Sequence, residues 1–318
     1  MLVVSKGRGR MGSWVEILFT GLVMVMVMGS AVEARRTSTG SMILEPLLFD
    51  NSFNILYGSE TQIERTFNGR AVSLSMTQMT GSGFQSKDPF LFGQLSLKVK
   101  LVPGDSSGVV VCFYMHSMNE NHDEFDFEFL GNKSGEPIIL QTNIYANGEG
   151  GREERIALWF DPTEKFHTYT VLWNHNQVVF YVDSVPIRVL KNSMESRRFY
   201  PLVRPMWVFS SIWNGDDWAT RGGLDKVNWT NAPFVAHFKD FKLNGCVYDG
   251  KGVAPECTSP LYNGPWWTGH DDLNSVERRK LAWVRSQYLT YDYCTDTVRY
   301  GATLLEKYPE CTLDHTSP

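Results

Sequence analysis

Residues 121–132 read Asn-His-Asp-Glu-Phe-Asp-Phe-Glu-Phe-Leu-Gly-Asn, so acidic and aromatic side chains alternate with a period of two. Successive side chains of a β-strand point to opposite faces, so Glu124, Asp126 and Glu128 are predicted to share one face and three phenylalanines the other. Alternate strand positions lie roughly 6.6 Å apart, which places the α-carbons of Glu124 and Glu128 about 13 Å apart. On a concave sheet their side chains can lean together. We therefore expect an acidic face above an aromatic core.

A half-buried strand with one solvated face has the same alternation, and this plain structural interpretation stays open from the pattern alone. Three like charges on neighbouring same-face positions repel one another, however, and a purely structural strand gains nothing from this repulsion. In a cleft such carboxyls titrate as a coupled set with at least one raised pKa, which supplies a proton donor beside a carboxylate. We expect Glu124 to be a nucleophile, Glu128 a general acid and then base, and Asp126 the group that orients both. Retaining glycosidases hold such a pair about 5–5.5 Å apart.

Residues 122–132 resemble the signature of plant xyloglucan endotransglucosylase/hydrolases, a branch of glycoside hydrolase family 16. The resemblance continues over nearly the whole chain after its amino-terminal segment, through residues 81–86, 141–143, 152–153, 158–163, 216–223 and 293–296. It implies a concanavalin-like β-jelly roll of two curved antiparallel sheets, with substrate across the concave sheet. It also implies a short, partly helical carboxyl-terminal extension that is pinned by disulfides.

The strand pattern is consistent with this all-β fold. Short alternating segments bounded by turn residues recur from residue 42 to residue 242, at a spacing typical of a sandwich or barrel. A helix is expected from Ser275 to about Tyr291, with Leu281, Val284 and Tyr288 on one stripe. The expected strands are 71–76, 92–101, 108–117, 137–145, 167–173, 178–182, 203–212 and 235–243.

Three regions are expected: a signal peptide over residues 1–34, a catalytic jelly roll over 35–245 and the extension over 246–318. The first contains a basic start, an apolar run over residues 17–28 and a small-residue cleavage pattern ending at Ala34, with Ala31 as the second choice. An uncleaved anchor is the alternative, although the run is shorter than the roughly 20 apolar residues of a membrane span. We expect a secreted protein, and the resemblance to the plant family implies the cell wall and apoplast.

Composition limits the partners. The formal net charge is −5, the isoelectric point is near 5.8, and no basic cluster follows the first segment, which argues against nucleic acid and anionic membranes. A neutral polymer fits, and the resemblance implies xyloglucan donor and acceptor chains. We expect a monomer with one core. No cofactor is expected, and no catalytic metal either, because histidines and cysteines show no ligand spacing along the sequence.

Five cysteines are present. In a secreted protein bridges are expected, and the four late cysteines fall into two short-spaced pairs, Cys246 with Cys257 and Cys294 with Cys311, which is also the pairing that the resemblance implies. Other connectivities remain open. Cys112 lies in an apolar run and is interpreted as a small buried hydrophobic residue without a reactive role.

Sugar recognition needs aromatic faces and amide or guanidinium groups. Trp159, Trp213 and Trp218 are stacking candidates, although tryptophan is as often a core residue. His122 either supports the acidic face or is an ordinary histidine at a strand start. The resemblance implies that ten positions contact glycan. Without the resemblance, these residues are interpreted as ordinary polar residues of loops or strand edges. They are Gln141, Thr142, Asn143, Gly151, Arg152, Glu153, Asp217, Trp218, Gly222 and Arg299.

Two N-x-S/T sequons, at Asn132 and Asn228, are predicted N-glycosylation sites. By resemblance, residues 211–218 form the short loop of transferase-type members, so we expect an endotransglucosylase. A predominantly hydrolytic enzyme is the close alternative, and a non-catalytic glycan-binding module on the same sandwich is the alternative from another class. Gly151 stands where many relatives have aspartate, which leaves donor and acceptor preference open.

Overall fold

The structure is a computed structural model and describes residues 47–194, 199–251 and 270–312. Fifteen strands are found in these ranges, and all of their pairings are antiparallel. The strands are β1 (Phe53–Tyr57), β2 (Ile63–Thr66), β3 (Ala71–Met76), β4 (Ser82–Ser86), β5 (Phe90–Lys100), β6 (Val109–His116), β7 (Glu124–Leu130), β8 (Ile139–Tyr145), β9 (Glu154–Ala157), β10 (His167–Trp173), β11 (Gln177–Val182), β12 (Val185–Lys191), β13 (Trp207–Asn214), β14 (Phe234–Val247) and β15 (Leu289–Asp292).

The strands form two sheets. One has eight strands in the order β1-β4-β13-β6-β7-β8-β9-β15, and the other has seven in the order β12-β11-β10-β5-β14-β3-β2. The α-helices of the described ranges are α1 (Phe49–Ser52), α2 (Ser275–Gln287), α3 (Thr297–Tyr300) and α4 (Leu304–Lys307). None of these described helices is long and apolar enough to cross a membrane.

The predicted acidic strand is β7, and it lies near the middle of the eight-stranded sheet. Its phenylalanines are fully buried: Phe125, Phe127 and Phe129 are 0–1% exposed. They pack against aromatic residues of the opposite sheet, with the ring of Phe127 5.1 Å from that of Phe180 and the ring of Phe129 4.7 Å from that of Tyr169. Each buried phenylalanine contributes roughly 1.5–3 kcal/mol of hydrophobic stabilisation. This packing fixes the side of β7 on which the carboxyls lie.

Strands β3 and β10 have the predicted bounds, and the other predicted strands are present with shifted ends; β1, β2, β4, β9, β12 and β15 were not predicted. The predicted helix starts at Ser275 as expected, where a capping box joins Asn274 and Glu277. It ends at Gln287, so its predicted end at Tyr291 was wrong. Residues 289–292 form β15 instead, because they pair with β9 at the edge of the eight-stranded sheet.

The carboxyl-terminal segment adds to the sheet through β15 and is fastened by charged contacts. Arg285 of α2 contacts Glu154 at 3.0 Å and Asp292 at 2.6 Å. The predicted bond between Cys294 and Cys311 is confirmed. Cys246 is disulfide-bonded, but its predicted partner Cys257 lies outside the described residues.

Removing the Cys294–Cys311 disulfide by the double serine substitution should lower the free energy of unfolding by about 3 kcal/mol, the cost expected for releasing a loop of this length. Urea unfolding of both proteins under non-reducing conditions measures the difference. An unchanged midpoint would show that the bond contributes nothing to stability.

Candidate active site

The acidic face of β7 lines a cavity of about 580 Å³ on the open side of the eight-stranded sheet. The three carboxyls are the centre of three cross-strand rows, because each pairs with one residue of β6 and one of β8. The rows are Cys112-Glu128-Gln141, Tyr114-Asp126-Asn143 and His116-Glu124-Tyr145. Antiparallel register therefore surrounds each carboxyl with a defined pair of neighbours.

Glu128 is held by a polar chain. Gln141 donates from Nε2 to Glu128 Oε2 at 2.6 Å, and Arg155 donates from Nε to Gln141 Oε1 at 2.7 Å. Burial raises the pKa of Glu128 to about 7; the hydrogen bond from Gln141 opposes this rise and the nearby charge of Glu124 adds to it. A carboxyl with this pKa can give up and take back a proton near neutral pH.

Asp126 lies between the other two and is 6% exposed. Burial raises its pKa well above the ordinary range, and the charges of Glu124 and Glu128 and a hydrogen bond with Glu124 raise it further. Three carboxyls this close cannot all be ionised in a partly dehydrated site. The arrangement therefore stores at least one proton between two carboxylates.

Glu124 contacts two histidines. His122 Nε2 lies 3.1 Å from Glu124 Oε2, and His116 Nε2 lies 3.8 Å from the same oxygen. The rings of His122 and Tyr145 pack at 4.9 Å. His122 is thus a neighbour of the carboxylate, which favours the first of the two interpretations made for it from sequence.

Aromatic rings border the carboxyls. Trp213 and Trp218 line the cavity with ring centroids 6.1 Å apart, and Trp213 Nε1 donates to Cys112 Sγ at 3.4 Å. The loop that carries Trp218 is fixed by Thr220, whose hydroxyl donates to the Gly131 carbonyl at 2.7 Å. These rings offer the flat apolar faces on which sugar rings stack.

The third stacking candidate, Trp159, lies elsewhere. Its ring packs 5.3 Å from Trp283 and 5.7 Å from Tyr288, both in the carboxyl-terminal segment, and it does not line the cavity. The carboxyl-terminal segment therefore packs against this tryptophan, which makes Trp159 a packing residue.

Four of the ten predicted glycan contacts line the cavity: Gln141, Asn143, Glu153 and Trp218. Two others do not reach it. Thr142 is fully buried, because it pairs with Phe127 and points to the opposite face from Gln141, where it accepts a hydrogen bond from Arg188 at 3.0 Å. The structure therefore contradicts the predicted contact between Thr142 and glycan.

The structure also contradicts the predicted glycan contact of Arg152. Its side chain is completely buried, with Nε donating to Glu310 Oε1 at 2.7 Å and Nη1 to the Glu149 carbonyl at 3.2 Å. The guanidinium lies over the rings of Phe199 and Tyr308. A glycan in the cavity cannot touch it, so Arg152 acts on the loop before β9 and not on a ligand.

The remaining four do not line the cavity either. Arg299 is exposed and pairs with Glu153 at 2.6 Å, and the Gly151 carbonyl accepts a hydrogen bond from the hydroxyl of Tyr300. Asp217 and Gly222 are exposed in the loop of Trp218 and do not line the cavity.

Sequence reasoning missed several cavity residues: Tyr57, Tyr114, Tyr145, Ser211 and Cys112 as a lining residue. Cys112 is a buried free thiol as predicted, and burial raises its pKa well above the ordinary value. The period of two along β6 could have found Cys112 and Tyr114 together, because they alternate with buried valine and phenylalanine.

The two sequons lie on loops. Asn228 is exposed, and its Oδ1 accepts from the hydroxyl of Thr230 at 2.7 Å. Asn132 is half-buried just after β7, with Nδ2 donating to the Pro137 carbonyl at 2.9 Å. Glycosylation of either remains a prediction.

The fold resembles solved glucan hydrolases. The Bacillus licheniformis beta-glucanase superposes with a TM-score of 0.52 at 22% identity, covering 63% of this chain and 96% of that one. The laminarinase from Flavobacterium sp. UMI-01 gives 0.52 at 17% identity, covering 63% and 95%. The model of glycosyl hydrolases family 16 matches residues 49–231, so the chain is of that glycan-cleaving class.

A narrower family is also shown. The model of the xyloglucan endo-transglycosylase C-terminus matches residues 262–311. Probable xyloglucan endotransglucosylase/hydrolase protein 6 of Arabidopsis thaliana is 49% identical over 84% of this chain and 89% of its own length. Xyloglucan endotransglucosylase/hydrolase protein A of Phaseolus angularis is 50% identical over 77% and 82%. The chain belongs to the xyloglucan endotransglucosylase/hydrolase family.

Proposed function

We propose that this protein is a xyloglucan endotransglucosylase that cuts the β-1,4-glucan backbone with retention and passes the glycosyl group to another xyloglucan end. The observation that carries the proposal is the row of Glu124, Asp126 and Glu128 on one face of β7, inside an open cavity bordered by tryptophans. Relatives about half identical to this chain are named xyloglucan endotransglucosylase/hydrolases, which supports xyloglucan as the substrate.

In the first step Glu124 attacks the anomeric carbon while Glu128 donates its proton to the departing glycosidic oxygen. The bond from anomeric carbon to that oxygen breaks, and a glycosyl ester on Glu124 forms. Asp126 shares a hydrogen bond with Glu124 and keeps the attacking carboxylate oriented. The raised pKa of Glu128, about 7, supports its assignment as the acid.

In the second step Glu128, now ionised, takes a proton from the incoming hydroxyl, which attacks the ester and restores Glu124. If the hydroxyl is the 4-OH of another chain end, the polymer is re-formed; if it is water, the polymer is cut. Water is far more abundant, so transfer requires an acceptor that is bound and oriented next to the ester. Trp213 and Trp218 are the rings that we assign to hold sugars in the cavity.

The test is incubation of the purified protein with xyloglucan and a labelled xyloglucan oligosaccharide, measuring both label incorporation and new reducing ends. Incorporation without a matching rise in reducing ends supports transfer. Reducing ends without incorporated label would mean hydrolysis, and neither signal would favour a glycan-binding module.

Activity should fall as pH rises through about 7. The first step needs protonated Glu128, whose pKa is raised to about 7. Above that pH the protonated fraction of Glu128 falls, so kcat/KM should fall with it. Because the hydrogen bond from Gln141 opposes the rise, Gln141→Leu should move this basic limb to higher pH. A pH profile of both proteins measures the shift; a flat profile from pH 6 to 9 would contradict the assignment of the acid.

The setting of the reaction belongs to the same proposal. We expect secretion after removal of residues 1–34, which lie outside the described residues, and action in the cell wall and apoplast, where xyloglucan is found. The expected form is a glycosylated monomer. Amino-terminal sequencing of secreted protein and its mass before and after enzymatic deglycosylation test these expectations.

A further inference from the structure

Two histidines and one carboxylate meet where β6 connects to β7, and two of the three, His122 and Glu124, line the cavity. The available ligand atoms of His116, His122 and Glu124 all lie within 4.8 Å of one another. Both histidine Nε2 atoms face the same oxygen, Glu124 Oε2, at 3.8 Å and 3.1 Å. All three side chains keep 19–26% of their surface exposed, so a small solute can reach them.

The cluster is built by the connection between β6 and β7. His116 is the last residue of β6 and pairs directly with Glu124, the first residue of β7. The connection is anchored by Asp123, which is 1% exposed and contacts Arg204 at 3.2 Å. The His122 carbonyl in turn accepts from the backbone N–H of Gly148 at 2.8 Å. The backbone positions of the three ligands are therefore fixed before any ion arrives.

Spacing and ligand type suit a transition metal. Tetrahedral zinc sites use bonds of about 2.0–2.2 Å to histidine nitrogen and carboxylate oxygen, so adjacent ligand atoms lie roughly 3.3 Å apart. The two histidine–carboxylate distances, 3.1 and 3.8 Å, are close to that value. Imidazole pairs select Zn²⁺, Cu²⁺ or Ni²⁺ over Ca²⁺ and Mg²⁺, which prefer all-oxygen sites.

We propose that His116, His122 and Glu124 form a binding site for a divalent transition-metal ion such as Zn²⁺, and that the bound ion inhibits the enzyme. Coordination occupies the Glu124 oxygen that must attack the sugar. The inhibitory half of this inference rests on the proposed function, whereas the binding half does not.

Without metal, the same contacts can also orient Glu124 for attack, since His122 is within hydrogen-bond distance of it. If orienting Glu124 were the only role of the two histidines, metal binding should be weak and should not depend on the presence of both. The chain offers a matched control: His167 contacts Asp183 at 2.6 Å on the other sheet, a histidine–carboxylate pair with a single histidine.

The experiment is calorimetric titration of Zn²⁺ into the full chain, purified without a histidine tag, with Co²⁺ absorption as an independent readout of tetrahedral coordination. We expect one ion per chain for wild type. His116→Gln and His122→Gln, each checked for folding by thermal unfolding, should weaken binding about tenfold or more, and His167→Gln should leave it unchanged. No binding by wild type, or binding by both cluster variants that is as tight as that of wild type, would overturn the site.

Inhibition is measured separately, with each variant compared with its own metal-free rate. Zn²⁺ should inhibit wild type and His167→Gln, with recovery on adding chelator, and should inhibit His116→Gln only at about tenfold higher concentration.

Glu128→Gln should still bind Zn²⁺, whereas Glu124→Gln should not. If Glu128→Gln bound Zn²⁺ normally and kept full turnover, the proposed function would fail and the metal site would stand.

Discussion

Replacing Glu124 by glutamine should abolish turnover of xyloglucan, because an amide cannot attack the anomeric carbon to form the ester. Glu128→Gln should lower kcat by about 10²–10⁴-fold, the usual loss when a positioned acid is removed. Asp126→Asn should cost less, since an amide can still hydrogen-bond Glu124. Steady-state rates with xyloglucan and labelled acceptor measure all three.

The matched control is Glu64→Gln, an exposed glutamate on β2 of the other sheet. It removes the same charge by the same substitution outside the cavity and should retain wild-type rates. Thermal unfolding must show that the three cavity variants are folded. Full activity of a folded Glu124 or Glu128 variant would overturn the assignment of the pair.

The second large effect is on stability. Glu310→Gln should destabilise the protein by about 3–5 kcal/mol, because it leaves the guanidinium of Arg152 buried without its charge partner. Both side chains are essentially inaccessible, at 0% and 1% exposure, and Arg152 Nε lies 2.7 Å from Glu310 Oε1. Urea unfolding measures the loss, with Glu306→Gln as the exposed control on α4. Equal midpoints for the two variants would contradict this estimate.

The same substitution should also disturb the cavity. The loop before β9 is held from the carboxyl-terminal segment by Tyr308, whose hydroxyl donates to the Gly150 carbonyl at 2.9 Å, as well as by Arg152. Its backbone also contacts the cavity, since the N–H of Arg152 donates to Asn143 Oδ1 at 3.0 Å. In a folded Glu310→Gln protein we therefore expect KM to rise more than kcat falls.

Period-two alternation was sufficient to predict β7, its buried phenylalanines and the common face of its three carboxyls. The same rule would have excluded Thr142, which alternates with Gln141 and Asn143 on β8 and must therefore face the core. The family resemblance had treated these three neighbours alike. Local pattern was the better guide at that position.

Contacts between distant parts of the chain could not be predicted. Arg152 and Glu310 are separated by 158 positions, and nothing near either residue indicates that a charged pair closes there. Cross-strand register could not be predicted either. Without the pairing of His116 with Glu124, nothing in the sequence indicates that His116 lies beside this carboxylate. The sequence showed no ligand spacing because the ligands come from a strand end, a connection and the next strand.

Strand β15 has a further consequence for chains cut short. It covers β9, whose N–H and C=O groups would otherwise form an open edge ready to pair with any extended peptide. A protein that stops before Ser275 keeps all three carboxyls yet exposes this edge. Removing β15 moves the open edge of the sheet from β15 to β9 and takes Arg285 away from the buried carboxylate of Glu154, so such a fragment should unfold at a lower urea concentration than the full chain.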